Sequence, residues 1–407
     1  MDLTTSAATA VFLFTAIVVA LGKFPGLRID RTGGAVVGAG LMVGLGILTP
    51  RQAWAAIDLD TLALLFGMMI VAANLRLSGF FGLVSTWVVR HVRRPLALLA
   101  VIVLVSGFFS AFFVNDTICI VLTPLVCHLT TRLNRNPLPY VLAVAMAANV
   151  GSTATITGNP QNMLIGSMSH VSYTAFAAAL SPIAAIGLAL TVLVLWLSHR
   201  SEFSNDEILD APAEPVRVNR FLLWKSIVVA AVMVLFFFLG QPAPKVALLA
   251  GAVLLVTRRV RPEKFYGHLD FQLLVMFAGL FVVVAGIEQT PWLADLVAAA
   301  QRFGTERVAV FSALSGVLSN IVSNVPAVMM LRPFVVHFHD PSRGWLVLAM
   351  ASTLAGNFTI TGSVANLIVV QRAQKEGVKI SFRDYFRAGA PLTVVTMVVG
   401  ALLLAGR

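Results

Sequence analysis

Two short stretches of a mostly apolar chain hold residues able to handle ions. The first reads FFVNDT around Asn115, Asp116 and Thr117, with Ser110 one turn earlier. The second reads IVSNVP around Ser323 and Asn324, with Ser319 one turn earlier. Each lies between two closely spaced apolar runs, so each reads as the turn of a helical hairpin. Two more stretches interrupt apolar runs. GSTATITGNPQN contains Thr155, Thr157, Gly158, Asn159 and Asn162, and GNFTITGSVAN contains Thr359, Thr361, Gly362, Ser363 and Asn366. A helix that begins at such a break directs free N–H groups and a partial positive charge into the gap, which favours an anion. A helix that ends there directs carbonyls, which suit Na⁺ or a proton-carrying group. Asn159 before Pro160 has the order of a cap followed by proline at the first helical position. Gly158 and Gly362 let the backbone turn and a ligand approach.

These residues divide into two expected sets. Ser110, Asn115, Asp116, Thr117, Ser319, Ser323 and Asn324 are expected to hold the coupling ion, H⁺ or Na⁺. Asn115 and Asn324, with the polar residues of the two TITG loops, are expected to hold the substrate. Polar side chains at helix breaks are also ordinary caps; four breaks in two matched pairs favour a ligand site. Asp116, whose counterpart is Val325, is costly at membrane depth unless paired, solvated or protonated, and is the candidate proton carrier. Arg332 could meet an anion or a carboxylate, or snorkel outward. Asp60, Asp270, Glu288, His128 and His337 fall near segment ends and read as interfacial. Cys119 and Cys127 lie about 12 Å apart along one helix at 1.5 Å per residue, so they cannot share one arsenic atom. Arsenite, if carried, would be held by hydroxyl hydrogen bonds. No nucleophile–base pair and no metal-ligand cluster stands out in the sequence, so transport is expected rather than catalysis, with no cofactor.

The elements that position these residues follow from composition and repetition. Of 407 residues, 58% are hydrophobic and 12% charged, with a mean hydropathy of +0.89. A soluble domain carries about 25% charged residues. Apolar runs approach the roughly 20 residues that cross a bilayer. No positive segment precedes the first run, so it is expected to be retained rather than cleaved. The net charge of +11 fits basic loops on one membrane face better than nucleic-acid binding.

The halves repeat. Ser106, Gly107, Ser110, Asn115, Leu122, Pro124, Val126 and His128 recur as Ser315, Gly316, Ser319, Asn324, Leu331, Pro333, Val335 and His337. TITG and the asparagine after it recur as well, and Asp60 is matched with Asp270. Many matches are Gly, Pro, Ser or Asn, which shared hydrophobicity does not explain. The expected architecture is an all-α polytopic membrane protein of two inverted repeats, residues 1–198 and 222–407, joined by a cytoplasmic linker over 199–221. Each repeat holds five transmembrane helices, a re-entrant hairpin and an interrupted helix. With the N-terminus outside the plasma (inner) membrane, most of the 29 Lys and Arg residues fall on the inner face, as the positive-inside rule requires. An odd number of crossings per half inverts the repeats.

With FFVNDTICIVLTP, ITGNPQN, SNVPAVMML and TLAGNFTITGSVANLIV in place, the chain resembles the ion transporter superfamily over nearly its whole length. That group includes arsenical pump membrane proteins, divalent anion/sodium symporters, citrate permeases and related Na⁺/H⁺ antiporters. The resemblance implies that tips and interrupted helices form the substrate and ion sites, and that a transport domain moves against a dimeric scaffold. The sodium-coupled carboxylate branch carries Ser-Asn-Thr at both tips. Here the tips read Val114-Asn115-Asp116 and Ser323-Asn324-Val325, closer to the proton-coupled arsenical branch. The resulting expectation is a proton-coupled carrier of an anion or metalloid oxyanion, with arsenite or antimonite efflux by antiport first. A sodium-coupled di- or tricarboxylate or inorganic anion carrier and a Na⁺/H⁺ antiporter are the alternatives. A homodimer and a separate ATPase subunit are compatible partners.

Overall fold

The computed structural model describes residues 3–22, 28–204, 217–257, 261–291, 299 and 301–406. Most of the expected central linker, with the basic residues Lys23, Arg258, Arg259 and Arg407, lies outside the described residues. The described elements are helical. In the first half they are α1 (Leu3–Leu21), α2 (Arg31–Gly44), α3 (Pro50–Ala56), α4 (Leu59–Leu77), α5 (Phe80–His91), α6 (Pro95–Phe112), α7 (Asn115–Arg132), α8 (Pro137–Ser152), α9 (Pro160–Met168), α10 (Tyr173–Ser198) and α11 (Arg200–Phe203). The second half holds α12 (Arg220–Phe238), α13 (Ala243–Leu255), α14 (Pro262–Tyr266), α15 (Phe271–Glu288), α16 (Val308–Val322), α17 (Asn324–Val335), α18 (Pro341–Ala355), α19 (Val364–Lys375) and α20 (Phe382–Ala405). Among the described residues, seven helices are long and apolar enough to cross a membrane: α1, α4, α6, α10, α12, α15 and α20. The chain is a polytopic α-helical membrane protein.

The repeat is visible as reciprocal contacts. α4 packs on α13 while α15 packs on α2, and α1 meets α15 while α12 meets α4. At the closest points, a Cβ on Gly67 would lie 2.5 Å from the Ala247 carbonyl, and one on Gly279 would lie 2.8 Å from that of Ala35. Both pairings are reproduced by one shift of 212 residues. Reciprocity of this kind is the mark of two-fold symmetry. Lipid supplies no hydrophobic drive between helices, so small residues that let backbones touch hold such pairs together. The same shift relates Ser78 to Thr290, each of whose hydroxyls bonds the carbonyl three residues earlier. It also corrects the expected Asp60–Asp270 match. Asp58 caps α4 through Thr61 N–H as Asp270 caps α15 through Leu273 N–H, so Asp58 is the counterpart and Asp60 lies two residues further on, exposed in the first turn.

The second layer holds the hairpins and broken helices. α6 and α7 form one hairpin around α8, and α16 and α17 form the other around α18; α7 also reaches α19, and α17 reaches α9. Every residue of α8 from Pro139 to Ser152 is buried. A helix apolar all round belongs in such a centre. Its small residues allow a close approach to α6, where the Gly107 and Gly151 backbones meet. Asn149, which meets the first hairpin turn, lies about 18 Å along α8 from Pro137 at 1.5 Å per residue. The turn therefore ends inside the bundle. α8 and α18 each stop at a single 3₁₀ turn, Ile156–Gly158 and Ile360–Gly362, before α9 and α19 begin. Four short helices fall outside the apolar runs, α3, α5, α11 and α14; the longest, α5, is an amphipathic segment with Arg90 and His91 in its last turn.

Candidate functional site

The two hairpin turns and the two broken helices converge on one cavity of about 40 Å³. The first residues of four helices line it: Asn115 of α7, Pro160 of α9, Asn324 of α17 and Val364 of α19. Asp116, Gln161, Ser323 and Ser363 add polar groups, and Arg31, at the start of α2, adds a cation from the facing wall. Asp116 and Arg31 are both half-buried, and neither has a hydrogen-bond or ion-pair partner among the described residues. Ser323 sits at φ 77°, ψ 160°. A side chain there costs about 1–3 kcal/mol, a strain characteristic of ligand sites.

Behind the cavity, side-chain amides replace the backbone ladder that the breaks interrupt. Asn162 Nδ2 donates to the carbonyls of Ser152 and Thr155, both at 3.0 Å. Asn366 Nδ2 repeats this on Gly356 and Thr359, at 2.7 and 3.1 Å. Asn159 caps α9 through Asn162 N–H at 2.9 Å. A Cβ on Gly158 would strike the Ser152 carbonyl, so only glycine fits.

Asn149 joins the halves. Its amide nitrogen donates to Asn357 Oδ1 and Asn366 Oδ1, both at 2.9 Å. Its oxygen accepts from Asn115 Nδ2 at 3.1 Å and Ser363 Oγ at 3.2 Å. Thr353, at the matching position of α18, accepts from Asn159 Nδ2 and Gln161 Nε2, both at 3.2 Å. Asn324 is held by its neighbours. Its amide oxygen accepts from Gln161 Nε2 at 3.1 Å, and its nitrogen donates to the Gly362 and Ser352 carbonyls at 3.0 and 3.2 Å.

Of the expected site residues, Asn115, Asp116, Ser323, Asn324 and Ser363 face the cavity. The others lie outside its lining. Ser110 and Ser319 are buried behind the tips, and Thr117 lies one residue past Asp116. Thr155, Thr157, Gly158, Asn159 and Asn162 are buried. Thr155 bonds the Ala111 carbonyl, and Thr157 Oγ1 lies 2.9 Å from Tyr173 Oη. Thr359 donates to Asn320 Oδ1 at 3.3 Å, Gly362 and Asn366 are buried, and Thr361 is exposed. The TITG loops thus shape the site from behind. Arg31, Gln161, Asn149 and Thr353 were missed. A lone amide in an apolar run, as in AMAANVGS, was the available signal for Asn149.

Other expectations resolve simply. Arg332 pairs with Glu288, Nη2 to Oε1 at 3.0 Å, so it neither faces the cavity nor snorkels free. His128 and His337 are exposed near helix ends. Cys119 and Cys127 are buried free thiols on α7. No group of three His, Cys, Asp or Glu suited to a metal occurs among the described residues.

The chain is similar to known transporters along nearly its whole length. A solved transporter, YdaH of Alcanivorax borkumensis, described as having an unusual topology, matches 99% of this chain and 97% of its own with a TM-score of 0.64 and 15% identity, which shows a shared fold. The silicon efflux transporter LSI3 of rice (Oryza sativa subsp. japonica) is 30% identical over 98% of this chain and 96% of its own. The putative transporter arsB of Dictyostelium discoideum is 24% identical over 92% and 87%. The citrate transporter family model matches residues 10–355. That match spans more than half of the sequence, and the chain belongs to the citrate transporter family.

Proposed function

We propose that this chain is a proton-coupled secondary transporter of a small metalloid acid or its oxyanion, arsenite or antimonite first, exported across the plasma membrane by antiport. One observation carries the reading: four helix N-termini and the unpartnered carboxylate of Asp116 meet at a single cavity. The N-termini supply N–H donors and positive potential for oxygen-rich solutes. Asp116 takes and releases the coupling proton, and the tips of the two re-entrant hairpins carry substrate between the faces by alternating access. The cavity volume also supports a small cargo. At about 10–15 Å³ per water-sized group, about 40 Å³ accommodates a few oxygens around one central atom, and a tricarboxylate is several times larger. One relative is named a silicon efflux transporter, and silicon dissolved in water is a compact hydroxy acid.

A second reading, sodium coupling, draws on hairpin one. Ser110 Oγ and Asn115 Oδ1 are buried without partners, acceptors that a small cation could use. Proteoliposomes decide between them. A pH gradient without Na⁺ drives arsenite flux on the proposed reading. Flux of citrate or succinate that requires Na⁺, with arsenite immobile, replaces it.

A further inference from the structure

The cavity has two walls of different origin. Tips and breaks from both halves form one. The other comes from α1, α2 and α15, through Val19, Arg31, Leu273 and Met276. The shift of 212 residues that relates α2 to α13 and α4 to α15 carries Arg31 onto Ala243 and Met276 onto Leu64. Ala243 and Leu64 line a second cavity, of about 230 Å³, along with Phe237, Pro244 and Asp60. Phe237 lies near the end of α12 as Val19 lies near the end of α1. The two walls are therefore symmetry-related seats at opposite ends of the molecule. The tips now occupy the first seat, and Ser167 and Tyr173, from the end of α9 and the start of α10, face the second.

The seats differ in charge. Arg31, the first residue of α2, puts a cation in one; Ala243, the first residue of α13, puts nothing in the other. Asp60 adds a carboxylate to the second, where its own counterpart Gln272 is neutral. Arg31 is half-buried with no hydrogen-bond or ion-pair partner among the described residues; the Asp116 carboxylate, brought in by the tips, acts on it from across the cavity, and once that carboxyl is protonated an anion takes its place as counter-charge. We propose that Arg31 is an end-specific counter-charge for the substrate. It strengthens binding when the tips sit at the Arg31 end and is absent when they sit at the Ala243 end. This rests on the transporter reading above and adds direction to it: the anion loads at the basic face and is shed at the opposite one. A hydrogen bond to a charged group corresponds to a factor of about 10–100 in affinity.

The test is a face-resolved flux measurement. Wild type, Arg31→Gln, Arg31→Lys and Ala243→Arg are reconstituted with known orientation. Half-saturating concentrations of arsenite, phosphate and citrate are read separately from each face. For whichever solute moves, Arg31→Gln raises the value at the Arg31 face about tenfold or more and leaves the other face unchanged, and Arg31→Lys restores most of it. Ala243→Arg lowers the value at its own face, an outcome that stands if Arg31→Gln folds poorly. Equal changes at both faces, or no face-dependent change for any of the three solutes, overturn the proposal. If phosphate or citrate moves while arsenite does not, the metalloid reading fails and the Arg31 claim is still decided with that solute.

Discussion

The two hairpin tips have the same plan and different finish. At the second, Asn324 is closed in by Gln161, Gly362 and Ser352. At the first, Asn115 keeps one bond, to Asn149, while its oxygen and the Ser110 hydroxyl stay unpartnered. Asp116 follows Asn115, and apolar Val325 follows Asn324. The loops differ as well: the first TITG is fully buried, whereas Thr361 of the second is exposed. Symmetry builds the geometry, and departures from symmetry place the chemistry. Asp116 against Val325, Arg31 against Ala243 and Asn149 against Thr353 are three such departures at the cavity or its support.

The largest effect expected from this contrast belongs to Asp116. Asp116→Asn removes the carboxylate with little change of shape, and pH-driven flux in proteoliposomes falls by about two orders of magnitude, at the lower end of what a proton-transfer group contributes. Melting in detergent stays within about 1 kcal/mol, as for a group that makes no internal bond. Placing the carboxylate on the other tip, as Asp116→Asn with Val325→Asp, does not restore coupling. Restoration would show the tips to be equivalent.

Next comes the amide that joins the halves. Asn149→Ala leaves partners on Asn115, Asn357, Asn366 and Ser363 unsatisfied. At about 1–3 kcal/mol per buried polar group left alone, a loss of about 3 kcal/mol or more is expected. Thr353→Ala, which releases two amide donors, costs about 1–2 kcal/mol on the same scale. Thermal melting of the two variants side by side reads the difference, and equal losses would remove Asn149 from its special place.

The smallest effect concerns the ion pair at one end. Glu288 and Arg332 side chains are 26% and 40% exposed, so Arg332→Gln changes stability by under about 1 kcal/mol. The pair ties α17 to α15 at the end opposite Arg31. By the same shift Glu288 corresponds to Arg76, and Arg332 aligns with Thr123, so no equivalent pair can form at the other end. Breaking it raises the reactivity of a cysteine introduced at Ser167 toward a water-soluble thiol reagent. Unchanged labelling would show that the pair does not hold this end shut.

Much of this was legible in the residues alone. Hydrophobic runs gave the helices, matched Gly, Pro and Asn residues exposed the repeat, and the polar punctuation located both tips and both breaks. The side chains that line the cavity were read less well, for physical reasons. Threonines in TITG look like ligands in a linear sequence. Whether a hydroxyl faces a cavity or a carbonyl depends on the turn that follows α8, which spacing does not specify. Arg31 was hidden among the basic residues that any inner face collects. Asn149 went unmarked because its counterpart is a threonine, so a search for matches passes over it. Asp60 was matched with Asp270 on identity, where the cap geometry selects Asp58.

The central claim is that the two tips share one cavity. Cysteines introduced by Asp116→Cys and Val325→Cys, with Cys119 and Cys127 replaced by alanine, test it through a short thiol-to-thiol cross-linker applied to the reconstituted protein. The expected result is an intramolecular link between the two positions that stops transport by the chain. Efficient alkylation of each cysteine with no link between them, in any condition, would contradict it.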